Sequence, residues 1–520
     1  SVSRDLARGT RRTGHAFAEA ELLPEMLIID EAHAVRKRRT ATEIRTSLVG
    51  RLATDLLARV PHALLLTATP LQVDASELFD ALEILGVPSD FDEASYLDSL
   101  GLLSIPPDGT PELSQAAEAV RILSASVETY GLHGPAIPAE AAGIISDRTS
   151  GQIGFKTARE AQRSWGSVHE ALLRSHPAAT LCVRNTRGTL SQLGYKFPER
   201  EFTEVDCSGD QQVATVLARV DEYLTGNLGV VESVLYPGRQ SALGFVRSVY
   251  RQRAASSLTA IQASLQRRLG RLRDMQTGFP TVDDFVEEDL LDEDSTPSNG
   301  LLHAVDEAEL RRACGIEIAD IEVLLSLLGQ LDPVVNQADP KIRGALQVLN
   351  RFRERGERAL LFSRYTDTVR ALVNRYREDA GPRVNYAVYT GDGGLLSVGG
   401  EETRGGKELV TEALKAGKID VVFCSDAASE GLNLQAASGL INVDVPWNPA
   451  RLEQRIGRIA RLGQVADSVR IVNLWYPRSV EAKIYARVLH RKDVMELALG
   501  SFPEIVGTAI RNAVSRKEPD

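Results

Sequence analysis

The sequence lacks the features of membrane-spanning, secreted and disulfide-rich proteins. No uninterrupted apolar run approaches the ~18 residues that span a bilayer, and the N-terminal residues contain no apolar segment of the kind that directs secretion. The four cysteines show neither zinc-ligand nor redox spacing. They are Cys182, Cys207, Cys314 and Cys424. We therefore predict a cytoplasmic protein with reduced, mostly buried thiols.

The chain also lacks an excess of positive charge. Its formal net charge of -11 at pH 7 argues against a protein that coats nucleic acid through its overall charge. Residues 283–294 include eight acidic side chains and no basic one. We interpret 283–299 as an acidic mobile segment, with a DNA-mimicking strip as the alternative. The opposite bias lies at 451–492, where ten Lys and Arg stand against three acidic residues, so a phosphate-binding surface is expected there.

What the chain does contain is the composition and patterning of a globular α/β protein. Its 520 residues are 43% hydrophobic and 25% charged, and this length predicts about three domains. Two regions alternate short β-rich runs with helical stretches, which indicates parallel sheets covered on both faces. Strands are predicted at 26–29, 63–66, 359–362, 384–389, 421–424, 440–443 and 469–474, and helices at 42–58, 366–377 and 408–416. The long segments 211–275 and 305–331 are predicted to be helical.

The first candidate site follows the first predicted strand, where Ile29 leads directly into Asp30 and Glu31. Two adjacent carboxylates at the carboxyl end of a strand suit nucleotide hydrolysis. Asp30 can hold hydrated Mg2+, while Glu31 positions or deprotonates the attacking water. A cap on a following helix is the alternative explanation of such a pair. Thr67 and Thr69 come after the next strand, where their hydroxyls can bond to the acidic loop.

The second candidate site lies between residues 424 and 464. A loop of mostly small residues, 425–435, follows a predicted strand and allows a close approach to phosphates. Further along the chain, four polar residues occur at offsets 0, 4, 7 and 10: Gln454, Arg458, Arg461 and Gln464. On a continuous helix they would share one face, and two guanidinium groups could reach the same phosphates. A solvated basic helix is the alternative.

These motifs, in this order, resemble the motor of Swi/Snf-type ATPases among the superfamily-two helicases. They are the acidic motif, Thr-Ala-Thr-Pro at 67–70, Gly-Leu-Asn-Leu at 431–434, Trp-Asn-Pro at 447–449 and the Gln/Arg segment. Arg-Asn-Thr-Arg at 184–187 and Ser-Glu-Gly at 429–431 are similar to the bacterial HepA-like branch, named for the RNA polymerase-associated translocase. The resemblance implies an α/β fold of two RecA-like lobes, with ATP in the cleft between them and duplex DNA across both.

The resemblance also implies a role for individual residues. Asp30 and Glu31 match the pair that holds Mg2+ through water and activates water, and Arg458 and Arg461 match arginine fingers that stabilise the transition state of ATP hydrolysis. Positions that bind nucleotide or couple it to DNA are His33, Thr67, Thr69, Gly431, Gln454 and Gln464. Expected DNA contacts are Ser363, Arg364, Thr390, Gly391, Asn433 and Trp447. Contacts of this kind follow the DNA backbone, so translocation independent of base sequence is expected.

One part of such a motor is absent from the sequence, namely a Gly-rich phosphate loop with Lys and Ser or Thr. The nearest candidate, Gly-Gly-Lys-Glu at 405–408, lacks the earlier glycine and the hydroxyl that would ligate magnesium. The family places this loop well upstream of the acidic motif, and only 29 residues precede Asp30. We therefore expect a fragment that starts inside the first lobe. The loop would belong to an upstream part of the same polypeptide or to another polypeptide, unless the motor has lost catalysis.

The sequence thus predicts four regions. They are the C-terminal part of an incomplete first lobe (1–95), an insertion with a helical linker (96–335), the second lobe (336–490) and a C-terminal helical extension (491–520). The leading hypothesis is a DNA-dependent ATPase that translocates on double-stranded DNA and displaces proteins such as RNA polymerase, or that works with anti-phage defence proteins. The alternative is a non-catalytic DNA-binding scaffold built on a degenerate motor. The intact acidic pair and arginines favour the enzyme.

Overall fold

The structure is a computed structural model, and its described residues form two compact units, 25–182 and 194–476. The described ranges are 25–35, 37–39, 44–46, 48–57, 59–67, 76–89, 91–130, 140–144, 155, 157–182, 194–207, 211–235, 240–277, 307–331, 339–381, 383–426, 432–446 and 449–476. The acidic segment 283–299, the motif at 184–187 and the C-terminal extension 491–520 lie outside them. No helix in these ranges is both long enough and apolar enough to cross a membrane.

The first unit opens with a small parallel sheet. In chain order it contains β1 (Met26–Asp30), a 3-10 turn (Ala32–Val35), β2 (Lys37–Arg39), β3 (Ile44–Thr46), α1 (Leu48–Leu57) and β4 (His62–Leu66). β1 pairs with β4 in parallel, which confirms the predicted strand, helix and strand. The helix predicted from residue 42 begins only at Leu48, because β3 pairs with β2 in an antiparallel hairpin. Ile29 and Leu65 turn one face of the sheet toward a small core around Ala53.

Helices make up the rest of the first unit. They are α2 (Ser76–Leu85), α3 (Glu93–Leu103), α4 (Leu113–Tyr130), α5 (Ala158–Ser175) and α6 (Pro177–Leu181). Their shared core is aromatic, with the fully buried Trp165 and Tyr96 at its centre. Asp92 caps α3 by accepting a 2.8 Å hydrogen bond from the backbone N–H of Ser95. The segment 96–175 is therefore largely helical in its described parts.

The second unit opens with a strand, then a helical bundle. The strand is β5 (Glu199–Asp206), and the helices are α7 (Gln211–Thr225), α8 (Val230–Leu235), α9 (Gln240–Ser256), α10 (Leu258–Thr277) and α11 (Glu307–Gln330). Apolar side chains on their inner faces form one core that includes Tyr250, Leu265 and Ile321. The helices predicted within 211–275 and 305–331 are thereby confirmed.

A mostly parallel eight-stranded sheet completes the second unit. Its further elements are α12 (Pro340–Glu354), β6 (Ala359–Phe362), α13 (Thr366–Ala380), β7 (Tyr386–Thr390), β8 (Gly393–Val398), β9 (Glu401–Gly405), α14 (Lys407–Lys415), β10 (Val421–Cys424), β11 (Gly439–Asn442), α15 (Pro449–Ile456) and β12 (Ser468–Trp475). The strand order is β5-β12-β11-β6-β10-β7-β8-β9, and only the pairs of β8 are antiparallel. This sheet with its helices confirms the predicted α/β class.

Packing explains why the central strands are so apolar. β6, β10 and β11 are buried at every position, as expected for strands covered on both faces. Helices α12 and α13 supply part of that cover through Phe352 and Leu372. Gly439 is required at the start of β11, because a Cβ there would lie 2.8 Å from the ring of Phe352.

Two parts of the sheet differ from the sequence-based expectation. β5 lies in the stretch predicted as an insertion, yet it pairs with β12 along its whole length. Its residues alternate between exposed and half-buried positions, so it has no continuous apolar run to mark it. The hairpin of β8 and β9 was also not predicted. Gly399 and Gly400 form its turn with positive φ angles of 64° and 97°, which tight hairpin turns need.

Candidate functional site

In the first unit, the acidic pair lies at the carboxyl end of a parallel strand. Asp30 is the last residue of β1, is exposed, and accepts a 2.9 Å hydrogen bond from the backbone N–H of Glu31 through Oδ1. Glu31 has a φ of 53°, the only positive value of a non-glycine residue in the described ranges. This left-handed conformation is costly for a residue with a side chain and concentrates at functional sites. The Asp30 carboxylate directly before this corner is exposed to solvent.

The neighbouring strand brings Thr67 to the same edge. Asp30 pairs with Leu66 in the register of β1 and β4, and Thr67 follows immediately as a half-buried residue. The backbone of His33 belongs to the 3-10 turn that comes directly after the acidic pair. Thr69 lies outside the described residues. The structure thus places Asp30, Glu31 and Thr67 at two neighbouring strand ends, while their roles stay predictions.

In the second unit, four parallel strands end at one edge of the sheet. The order β11-β6-β10-β7 aligns their carboxyl ends, and backbone bonds continue the pairing beyond the strands. Ser363 N donates to Cys424 O at 3.0 Å, and Ser425 N donates to Tyr389 O at 2.9 Å. Thr390 is half-buried and Gly391 exposed at this edge. The residues at this edge therefore come from four separate segments of the chain.

Arg455 organises this edge from a fully buried position. Its guanidinium donates to Asp426 Oδ1 at 2.8 and 2.5 Å, to the backbone oxygen of Asp444 at 2.8 Å and to Asn442 Oδ1 at 3.2 Å. Burial raises the pKa of Asp426, but the charges of Arg455 and Arg451 outweigh it, so the pKa is lowered overall. Sequence reasoning missed Arg455, although it stands in the same segment as Gln454 and Arg458.

Two predicted DNA contacts have internal partners in this structure. The hydroxyl of Ser363 is fully buried and donates to Asp444 Oδ2. The backbone N–H of Arg364 donates to Asp444 Oδ1 at 2.9 Å, and its guanidinium donates to Gln252 Oε1 of α9 at 2.6 Å. These bonds fix the turn after β6. A DNA contact by either side chain stays a prediction.

The prediction of one continuous helix face from Gln454 to Gln464 was wrong. α15 ends at Ile456, and the chain continues in tight turns, with Arg458 N bonded to Arg455 O at 3.0 Å and Gln464 N to Arg461 O at 3.2 Å. Gly457, a poor helix former, directly follows the last helical residue. Offsets counted on a helix therefore do not apply beyond residue 456.

The two candidate arginine fingers have different surroundings. Arg458 is half-buried, and its guanidinium donates to the backbone oxygen of Leu432 at 3.2 Å. Arg461 is exposed. The hydrogen bond therefore holds Arg458 against Leu432, the residue before Asn433. Arg461 lies in solvent.

The remaining predicted residues divide between structural and exposed positions. Gln464 donates through Nε2 to Ala437 O and to Ile459 O, each at 2.9 Å, so it closes the turn. Asn433 is exposed, and its Oδ1 accepts from the backbone N–H of Gln435 at 3.3 Å. Gln454 is half-buried on α15. Gly431 and Trp447 lie outside the described residues.

The described residues fit the predicted metal in part. An exposed carboxylate at a strand end suits Mg2+ bound through water, because Mg2+ keeps several waters and needs few protein ligands. Among the described residues, no group of three or more His, Cys, Asp or Glu side chains could hold a metal ion by itself. The four cysteines are free thiols, of which Cys207, Cys314 and Cys424 are buried, as predicted.

Comparison with known proteins shows similarity to helicases. Residues 341–463, from the start of α12 through the arginine segment, match the helicase conserved C-terminal domain. Over 164 residues the chain is 33% identical to the uncharacterized ATP-dependent helicase YqhH of Bacillus subtilis, a match that covers 31% of this chain and 27% of that protein. Over 131 residues it is 32% identical to the RNA polymerase-associated protein RapA of Vibrio parahaemolyticus, covering 25% and 12% of the two proteins.

A solved structure of the C-terminal part of the Fun30 ATPase domain is 14% identical, with a TM-score of 0.32, and the match covers 62% of this chain and 96% of that one. The chain thus spans about a quarter of YqhH and about an eighth of RapA. The sequence matches agree with the motifs, since the helicase domain contains Ser363, Arg455 and Arg458. Residues 341–463 thus match the helicase conserved C-terminal domain, and the chain is similar in sequence to the helicase YqhH and to the RNA polymerase-associated protein RapA.

Proposed function

We propose that this protein is part of an ATP-dependent motor that moves along double-stranded DNA and displaces or remodels proteins bound to it. Asp30 would hold Mg2+ through water, and Glu31 would orient the water that attacks the γ-phosphate of ATP. Arg458 and Arg461 would stabilise the negative charge that develops in the transition state. His33, Thr67, Thr69, Gly431, Gln454 and Gln464 would bind nucleotide or link its state to DNA.

The observation that carries the proposal is the corner formed by Asp30 and Glu31. A capping role for these carboxylates would not need the left-handed backbone of Glu31 or the open position of Asp30 at the end of β1. Both features fit a carboxylate that must reach a hydrated cation. This is the reason to prefer an enzyme to a non-catalytic scaffold.

DNA would be bound through its phosphates. Asn433 and Gly391 are exposed near the carboxyl edge of the large sheet, and Arg364 and Thr390 are half-buried there. Backbone contacts of this type carry no base code, so the motor would move without sequence preference. The displaced protein could be RNA polymerase, since RapA is named for its association with that enzyme. A partner from anti-phage defence is the other candidate.

The test is phosphate release by the natural-length protein with and without duplex DNA. We expect DNA to stimulate turnover, and Glu31→Gln to abolish the stimulated turnover while DNA binding persists, because the amide cannot act as a base. The matched control is Glu25→Gln, at an exposed residue directly before β1. If the Glu31→Gln variant kept its DNA-stimulated turnover, Glu31 would not be the residue that orients the attacking water. DNA binding without any turnover would favour the scaffold.

A further inference from the structure

The junction between α9 and α10 is buried against the large sheet of the second unit. α9 ends at Ser256 and α10 begins at Leu258, and the residues from 256 to 258 are all fully buried. Helix ends normally lie at the surface, because their terminal N–H and C=O groups need partners. A buried junction therefore requires partners from elsewhere in the protein.

Residues at the start of α12 supply these partners. Asp339 accepts a 2.8 Å bond from the first N–H of α10, at Leu258, and Lys341 Nζ donates at 2.6 Å to the oxygen of Ala255 at the end of α9. Both charges complement the helix dipoles, because the acidic Asp339 lies at the N-terminus of α10 and the basic Lys341 at the C-terminus of α9. Burial raises the pKa of Asp339, although bonds from backbone N–H groups oppose that effect. The junction is thereby fixed to the sheet and its helices.

Ser256 connects this junction to the Arg455 network. Its hydroxyl donates to Asp444 Oδ2 at 2.6 Å and lies 2.8 Å from Thr368 Oγ1. The other oxygen of the same carboxylate, Oδ1, accepts from Arg455 at 3.3 Å. Arg455 in turn binds Asp426, which lies in the predicted phosphate-contacting loop, 425–435. One chain of hydrogen bonds therefore links Ser256 of the helical bundle to Asp444, then to Arg455, and finally to Asp426.

We propose that Ser256 is a positioning residue of the motor, whose hydroxyl fixes Asp444 and, through it, Arg455 and the turn that carries Arg458. The proposal rests on the proposed function, because it assigns Ser256 an effect on ATP turnover. It gives the helical bundle a role beyond packing. Through Ser256 the bundle sets the geometry of the arginine segment.

The neighbouring Ser257 separates positioning from packing. Its hydroxyl is equally buried and also bonds to Thr368, at 2.7 Å, but its other partner is the backbone N–H of Ala260 at 3.0 Å. Ser257 thus caps α10, whereas Ser256 contacts the carboxylate of Asp444. The two hydroxyls share an environment and differ in the group that they orient.

The experiment compares Ser256→Ala with Ser257→Ala in the natural-length protein. We expect Ser256→Ala to lower kcat of DNA-stimulated ATP hydrolysis about tenfold, the effect of one lost hydrogen bond to a charged group, without a change in KM for ATP. Ser257→Ala should lower the thermal midpoint but leave kcat unchanged. Adding Ser256→Ala to Asp444→Ala should have little further effect, because the carboxylate that Ser256 orients is already absent.

A second measurement does not need activity. Hydrogen–deuterium exchange at the amides of residues 455–460 should become faster in Ser256→Ala and stay unchanged in Ser257→Ala. If the wild-type protein shows no turnover, the proposed function fails while this exchange difference still tests the positioning role. Equal exchange and equal kcat losses in the two variants would overturn the proposal, since the hydroxyl of Ser256 would then act only through packing.

Discussion

At the scale of single residues, the two candidate arginine fingers can be told apart. Arg458 is half-buried and bonded to the backbone of Leu432, whereas Arg461 is exposed. A group that stabilises transition-state charge works best when it is held in place beforehand. We therefore regard Arg458 as the main finger and Arg461 as an accessory one.

We predict that Arg458→Ala lowers DNA-stimulated ATP turnover by a factor of about 10³ or more, as the loss of an arginine finger does. Arg404→Ala is the control, because Arg404 is an exposed arginine on the edge strand β9 and should leave turnover unchanged. The measurement is the rate of phosphate release at saturating ATP and DNA. Near-normal turnover in Arg458→Ala would remove the finger assignment.

His176 makes the stability of the first unit depend on pH. Burial lowers its pKa from 6.5 to about 4. Its Nδ1 accepts from the backbone N–H of Ala178 at 3.1 Å, and its Nε2 lies 2.8 Å from the hydroxyl of Ser99. A second proton on the ring would face the N–H of Ala178. The folded state therefore favours neutral His176, and its contribution to stability is complete above pH 6.5 and lost as the pH falls toward 4.

We predict that lowering the pH from 7 to 5 removes about 2 kcal/mol of unfolding free energy through His176. His176→Asn retains an acceptor for the N–H of Ala178 but does not titrate, so its stability should depend less steeply on pH by that amount. Urea unfolding of both proteins at the two pH values measures the difference. Parallel pH profiles would contradict the prediction.

At the scale of elements, the helical bundle contains a buried ion pair. Glu317 on α11 accepts from Arg268 on α10 at 2.5 Å and from the hydroxyl of Tyr223 on α7 at 2.8 Å. The side chains of Arg268 and Glu317 are 7% and 0% exposed. Burial raises the pKa of Tyr223, so its hydroxyl stays protonated and donates. Three helices therefore meet at one carboxylate.

We predict that Glu317→Ala lowers the free energy of unfolding by about 3 to 5 kcal/mol, because it leaves the charge of Arg268 buried without its carboxylate. The matched control lies on the same helix. Glu322 pairs with Arg273 at 2.7 Å, but these side chains are half-exposed, so Glu322→Ala should cost less than about 1 kcal/mol. Urea unfolding followed by circular dichroism compares the variants, and equal losses would refute the distinction.

At the scale of the whole molecule, the net charge of -11 constrains how DNA can be bound. Overall charge repels DNA, so binding must depend on a local basic surface that contacts phosphates. The described part of the basic segment includes Arg451, Arg458 and Arg461. Arg451 is partly engaged, since it lies 3.6 Å from Asp426.

We predict that the affinity for duplex DNA falls linearly with salt concentration on a logarithmic plot and is the same for duplexes of unrelated sequence. Fluorescence anisotropy with two labelled duplexes of equal length measures both properties. A strong preference for one duplex would indicate contacts with base edges and would count against a motor that follows the backbone.

Much of the sheet could be predicted from the sequence, and the reason is local. β6 and β10 have the predicted bounds because strands buried on both faces are continuous apolar runs. β5 could not be predicted in the same way, because its charged residues resemble those of a surface segment. Only its pairing with β12 shows that it is a strand of the sheet. The prediction of a helix beyond Ile456 was wrong, because residue spacing alone does not show where a helix ends.

The sequence by itself determined the α/β class, the order of the motifs and the position of Asp30 and Glu31 after an apolar strand, because these depend on patterns within a few consecutive residues. Only the tertiary structure decided that Arg455 is the buried centre of the second site and that Ser256 reaches Asp444. Their partners lie from 11 to 188 residues away in the chain. No local pattern encodes such contacts, since they exist only when four strand ends and a helix junction meet.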